Sequence, residues 1–271
     1  MCGSLSLAGS VALVIAAGAA LAEDAMTVDG RRITVTRDGL GTATLTVDGA
    51  ALHENGVIYL DPEPQVVGGV TVITGSTGAG GNACNPSPFV VVLPESAAPQ
   101  FWGPVESCNS FTPTLDGDRL VFTSDPVPGA PGDTWVWTLD VGFAPGPAVG
   151  FVANAGWEAL DQLQGAHPVD AMAITPVLQQ LTEALGADYP VFAERISDLG
   201  SGDLTPDGYL GQACLKFTCE ADWAILYLHR ESRQVFAIWH ASGEIESHIW
   251  PKETTQWPPE AMAALRARVS D

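Results

Sequence analysis

The chain has 271 residues, 46% of them apolar, with 29 Gly and 20 Pro. That length suits one large domain or two ordinary ones, and the Gly and Pro content points to short strands and many turns rather than a helical bundle. The formal net charge is −21, so no nucleic-acid partner is expected, because phosphate binding needs clustered Lys and Arg. A basic protein is the expected partner, since opposite potentials speed encounter.

In chain order, residues 1–22 read as an export signal. The uncharged, Ala- and Gly-rich run from Leu5 to Leu21 ends in Ala20-Leu21-Ala22, small residues at the two positions a signal peptidase inspects. The expectation is a periplasmic protein beginning near Glu23. No membrane span is expected after signal removal, because no second apolar run reaches spanning length. Cys2 leaves with the signal, and Cys84, Cys108, Cys214 and Cys219 remain. Four cysteines allow three pairings. The simplest is local, Cys84–Cys108 and Cys214–Cys219, each within one half. In the chain-entropy picture these would stabilise by roughly 3.5 and roughly 2 kcal/mol. No Cys-x-x-Cys pair and no neighbouring His-x-x-x-His accompanies them, so neither a metal site nor a cofactor is expected.

Residues 23–150 read as an all-β domain, either sandwich or barrel-like. Arg32–Thr36 and Thr42–Val47 alternate strictly around the turn Asp38-Gly39, and 57–60, 70–74, 89–93, 120–123 and 134–141 follow as strand candidates. The run Gly75–Asn82 has the look of a phosphate loop but lacks the Lys-Ser/Thr ending, so it reads as a φ-positive loop leading into Cys84. The Pro/Gly-rich stretch Phe143–Pro147 marks the boundary, and 151–271 reads as an α+β domain.

There the periodicity changes. Trp157–Leu163 suggests a helical turn or two. Thr175 fits an N-cap with Pro176 behind it, and Val177, Leu178, Leu181 and Leu185 make an apolar stripe that Gly186 stops. A second helix is expected over 190–199. Strands are expected over 209–214, 221–228, 234–240 and 244–250, forming an antiparallel sheet with short flanking helices, and a last helix opens at Pro258-Pro259-Glu260.

The sharpest local feature is Cys214-Leu215-Lys216-Phe217-Thr218-Cys219. A disulfide across four residues makes a small rigid ring whose apolar side chains cannot both turn inward. Such a ring docks with little loss of entropy. Around it the stretch from Thr175 to Arg268 resembles the inhibitor of vertebrate lysozyme family. The matching features run in order: Leu178-Gln179-Gln180-Leu181, Tyr189-Pro190-Val191-Phe192, Leu204-Thr205-Pro206, Gly208-Tyr209, the Ala213–Cys219 ring, and the strand pair Ala224–Tyr227 and Val235–Trp239. The resemblance implies a non-catalytic periplasmic inhibitor whose ring enters the cleft where two carboxylates cleave glycosidic bonds. It assigns binding to Leu215, Lys216, Phe217 and Thr218. The family's ring carries a Lys-Pro-His-Asp-like sequence whose His reaches those carboxylates. Here Phe217 stands at the His position and Thr218 at the Asp position, while Lys216 offers a cation one place from the family's Lys.

The expected partner is lysozyme or another basic glycoside hydrolase, and a homodimer is compatible with the sequence. The alternative from another class is a non-catalytic envelope module that binds peptidoglycan or glycan; Trp250 and Trp257, near turns and Pro, have the chemistry for sugar stacking. Enzyme patterns are missing. There is no Gly-x-Ser-x-Gly elbow, His53-Glu54 has no second His four residues on, and His229, His240 and His248 stand singly.

Overall fold

The computed structural model describes residues 22–81 and 83–269. The export signal expected over 1–22 lies, save for Ala22, outside the described residues. Two compact units make up the described chain: residues to Val121 with Trp137–Phe143, and Phe122–Val136 with the chain from Ala144 onward. Antiparallel sheets dominate both, and the helices are few and short.

In the first unit, strict alternation becomes a sheet with one buried face. Strands β1 (Ala22–Val28), β2 (Arg31–Arg37), β3 (Ala43–Val47) and β4 (Ala50–Asn55) pair in sequence order. Ile33 and Val35 on β2 and Ala43, Leu45 and Val47 on β3 turn inward, as a period of two requires. They share one apolar core with Ile58, Ile73, Phe89, Val91 and Leu93. These come from a second sheet of β5 (Val57–Leu60), β6 (Gln65–Val67), β7 (Val70–Gly78), β8 (Ser87–Leu93) and β9 (Gln100–Trp102). The Gly-rich run expected to be a loop is strand as far as Gly78. At Gly75 a Cβ would lie 2.3 Å from the Tyr59 carbonyl oxygen and 2.5 Å from the Phe89 ring, so the glycine serves close packing. The φ-positive residues come after it, at Gly80 and Gly81. A further sheet comprises β10 (Thr112–Asp116), β11 (Arg119–Thr123), β12 (Thr134–Thr138) and β13 (Gly142–Pro145).

The second unit is built on one five-stranded antiparallel meander: β14 (Leu199–Thr205), β15 (Gly208–Cys214), β16 (Trp223–His229), β17 (Gln234–His240) and β18 (His248–Trp250). Both faces are covered, which explains the unbroken apolar runs of β16 and β17. Ala224, Leu226, Leu228, Val235, Ala237 and Trp239 pack against Val177 and Leu181 of α2 (Thr175–Leu185) and Phe192 and Ile196 of α3 (Tyr189–Ile196). On the other face Trp223, Ile225, Tyr227, Phe236 and Ile238 meet Trp257 and Ala261 and Ala264 of α4 (Pro259–Val269). A one-turn helix, α1 (Pro168–Met172), is closed by a capping box from His167 and Asp170. No helix among the described residues is long and apolar enough to cross a membrane.

Three expectations change here. The N-cap of α2 is Ile174, not Thr175; the Thr175 hydroxyl donates instead to the Ala153 carbonyl at 3.0 Å. The helix expected over 190–199 ends at Ile196, and Leu199 instead opens strand β14 (Leu199–Thr205), a strand not expected from the sequence. Gly202 makes room for a buried ring: a Cβ there would lie 2.1 Å from the Tyr209 hydroxyl oxygen, while one on Gly200 would lie 2.7 Å from the Ala213 Cβ and 2.8 Å from the His167 Nε2. The strand expected over 244–250 is reduced to three residues, and 241–247 is a loop.

Candidate functional site

The register of β15 on β16 pairs Cys214 with Trp223, so 215–222 form the connection at one end of the sheet. The Cys214–Cys219 disulfide closes Cys214 and the first five of these residues into a ring with its Cα atoms 4.8 Å apart. Main-chain bonds hold the ring. The Thr218 amide donates to the Leu215 carbonyl (3.1 Å), and the Leu215 amide to the Asp222 carbonyl (2.9 Å). The Ala221 and Asp222 amides both donate to the Thr218 carbonyl, at 2.8 and 2.7 Å. The Lys216 amide donates to the Asp198 carboxylate at 2.7 Å. Asp198 is itself anchored. The His167 Nδ1 accepts from the Val169 amide at 3.2 Å, so its Nε2 carries the proton and donates to the Asp198 carbonyl at 2.7 Å.

The four predicted contact residues part company on this frame. Phe217 stands 74% exposed at the tip and adopts φ +75°, a left-handed conformation that costs a non-glycine residue about 1–2 kcal/mol. The Lys216 ammonium lies 5.8 Å from the centre of the Phe217 ring, so cation and aromatic face are presented together. Leu215 is half-buried at the base. Thr218 is exposed but turns its hydroxyl back to the Asp222 carboxylate.

Sequence reasoning missed the pin beneath the ring. Asp222 is buried, and its Oδ1 accepts from the Ser242 amide at 2.9 Å and from Arg195 Nη2 at 2.5 Å. The Ser242 amide first, then Arg195 and Thr218, hold this carboxyl below the usual carboxylate range against the opposing effect of burial. Arg195 is equally enclosed. It donates through Nε to the His240 carbonyl at 3.0 Å and through Nη1 to the Val191 carbonyl at 2.9 Å. His240 Nδ1 donates to the Ala221 carbonyl at 2.7 Å. One signal was present in the sequence: Arg195 interrupts the apolar stripe formed by Phe192 and Ile196, and a buried guanidinium there demands a partner.

The remaining candidates fall apart as sites. His229 bonds Ser232 (2.7 Å), and His248 bonds Glu244 (2.9 Å) while stacking on Trp239. His53 stacks on Phe101 with ring centroids 4.2 Å apart and bonds the Thr77 hydroxyl at 3.1 Å. Trp257, considered for sugar stacking, is a core residue whose Nε1 donates to the Pro251 carbonyl at 2.9 Å. Among the described residues, no three His, Cys, Asp or Glu side chains gather as a metal site. The second disulfide, Cys84–Cys108, joins two exposed segments of the first unit.

Comparison with known proteins matches residues 29–149 to the family described as Y4bG N-terminal domain, and residues 176–270 to the family described as inhibitor of vertebrate lysozyme (Ivy). The second match starts at the first turn of α2 and takes in the whole meander, the ring and α4. A relative named "Uncharacterized protein y4bG", from Sinorhizobium fredii (strain NBRC 101917 / NGR234), is 34% identical over 226 residues, covering 83% of this chain and 82% of that one. The chain therefore belongs to the y4bG family, with a Y4bG N-terminal domain followed by a domain of the inhibitor of vertebrate lysozyme family.

Proposed function

We propose that this protein is a periplasmic, non-catalytic inhibitor of a basic lysozyme, exported by the signal at residues 1–22, and that the Cys214–Cys219 ring occludes the enzyme's cleft. On this reading 23–150 fold as a β domain and 151–271 carry the inhibitor. The observation that carries the reading is Phe217, held out with Lys216 on a closed ring inside a domain of an inhibitor family. A pre-ordered apolar tip gains affinity because little freedom is lost on docking. Lys216 supplies a cation for one of the two carboxylates in the cleft, the group that the family's His otherwise contacts. The acidic surface steers a cationic enzyme to the ring.

Phe217→Gly separates contact from folding. It removes the ring that docks while relieving a φ that glycine adopts freely. Inhibition of vertebrate lysozyme should weaken by about 10–100-fold, the worth of burying one aromatic side chain. Thermal stability should hold or rise by about 1 kcal/mol. Lys216→Ala should give a smaller loss that fades at high salt. Wild-type protein at micromolar concentration that inhibits no lysozyme type, or a Phe217→Gly protein that inhibits as well as wild type, would refute the proposal.

A further inference from the structure

The β17–β18 connection, residues 241–247, lies at the same end of the sheet as the ring. The register places His240 opposite Trp223, and Trp223 opposite Cys214. One residue ties the two loops together. Asp222 accepts from Leu215 of the ring through its carbonyl and from Ser242 of the second loop through its carboxylate. The second loop is fixed at its far side as well, because the Glu244 amide donates to the Ala241 carbonyl at 3.1 Å and the Glu244 carboxylate meets His248 at 2.9 Å. On this pinned loop Ile245 is 99% exposed, the most exposed large apolar side chain among the described residues. Glu244 and Glu246 flank it. A concavity of about 960 Å³ is lined by Glu220 from the ring side and by Ile245 and Glu246 from the second loop, with Trp223 and His240 between them and Arg268 of α4 over the Trp223 ring, so carboxylates outnumber the guanidinium two to one.

We infer that loop 241–247 is a second contact element, in which Ile245 is an apolar anchor that docks beside Phe217 on the same basic glycoside hydrolase, with Glu220 and Glu246 facing its cationic surface. The inference rests on the lysozyme-inhibitor reading and adds a partner-facing surface that the ring alone does not supply. Three features favour this occupant. A fully hydrated isoleucine gains when a partner covers it, and the gain comes with little backbone ordering cost because the loop is already held at both ends. The carboxylates around it select a positively charged protein over an acidic glycan or an acidic second copy of the chain. Asp222 keeps the two tips in a fixed relation, so they engage one rigid body together.

The test measures binding of the full exported chain to vertebrate lysozyme at low and high salt for wild type, Ile245→Ser, Phe217→Gly, the double variant, and Glu220→Gln with Glu246→Gln. Ile245→Ser should weaken binding by about tenfold, chiefly through faster dissociation, with an unchanged melting temperature. The paired glutamine variant should slow association at low salt by roughly threefold and leave dissociation unchanged. If Ile245→Ser binds within twofold of wild type while Phe217→Gly is impaired, the second contact is wrong and the inhibitor reading stands. Wild type that binds no lysozyme, or that binds while both single variants are unaffected, overturns both.

Discussion

The two disulfides are the same bond used in opposite ways. Cys84–Cys108 spans 24 residues of the first unit and joins segments that are exposed on both sides. Cys214–Cys219 spans five and closes a ring whose backbone is already cross-bonded to Asp198 and Asp222. A long span removes more freedom from the unfolded chain, so the first bridge chiefly adds stability. A short span removes less, and its larger effect is on which side chains the folded protein presents. Span decides which of the two a cystine chiefly does.

The largest expected effect breaks the frame under the short ring. Asp222→Ala takes from the Arg195 guanidinium its buried carboxylate, leaving only the exposed Glu194 at 3.3 Å, and frees the Ser242 amide. A loss of about 3–5 kcal/mol is expected in denaturant melts, confined to the second unit. A loss under 1 kcal/mol would mean the pair is not enclosed as described. The next effect sets the bridges against each other. Replacing Cys84 and Cys108 together by Ser should cost about 3.5 kcal/mol and leave lysozyme inhibition intact. Replacing Cys214 and Cys219 should cost about 2 kcal/mol and remove most inhibition. Equal functional losses from the two pairs would erase the distinction.

The smallest effect is in acid, where the two units differ in the group that titrates. Burial, opposed in part by Glu54, lowers the His53 imidazole below its usual value. The neutral ring is favoured in the fold, so its contribution is whole above about pH 6.5 and is lost as pH falls through the depressed folded value. Asp222 is also depressed, chiefly by the Ser242 amide, so its contribution is whole above about pH 4 and is lost only as pH drops through its lower folded value. Amide hydrogen exchange across a pH series should show the first unit loosening before the second. His53→Gln should remove the early step. Simultaneous loosening of both units would contradict these assignments.

The legible parts of the molecule are those whose cause is local. Alternation in 32–36 and 42–47 is visible because one face of that sheet is buried and the other is wet. The ring is visible because four intervening residues bring two cysteines within reach of each other. Strand β14 was hidden because Leu199-Gly200-Ser201-Gly202-Asp203-Leu204-Thr205 carries little β-branched character; Gly202 answers to the Tyr209 ring and Gly200 to Ala213 and His167, tertiary demands. The break after His240 was legible, because Ala241-Ser242-Gly243 reads as a turn; only 244–247, expected as strand, was misjudged, and there the Glu244 carboxylate reaches forward to His248 while the chain stays a loop up to β18. At the site, Phe217 and Lys216 could be named from the cysteine spacing, while the Asp222–Arg195 pair and the Asp198–Lys216 contact join residues 18 or more apart and left only the charge of Arg195 in an apolar stripe as a trace.

The ring's architecture bears on how such a protein changes targets. Apart from the Thr218 hydroxyl, its attachments to the rest of the fold run through peptide groups and sulfur. The tips at 216 and 217 are therefore interchangeable fittings on a fixed mount. If the ring docks as proposed, a lineage could trade one pair of side chains for another and adapt to a new enzyme without renegotiating how the domain folds.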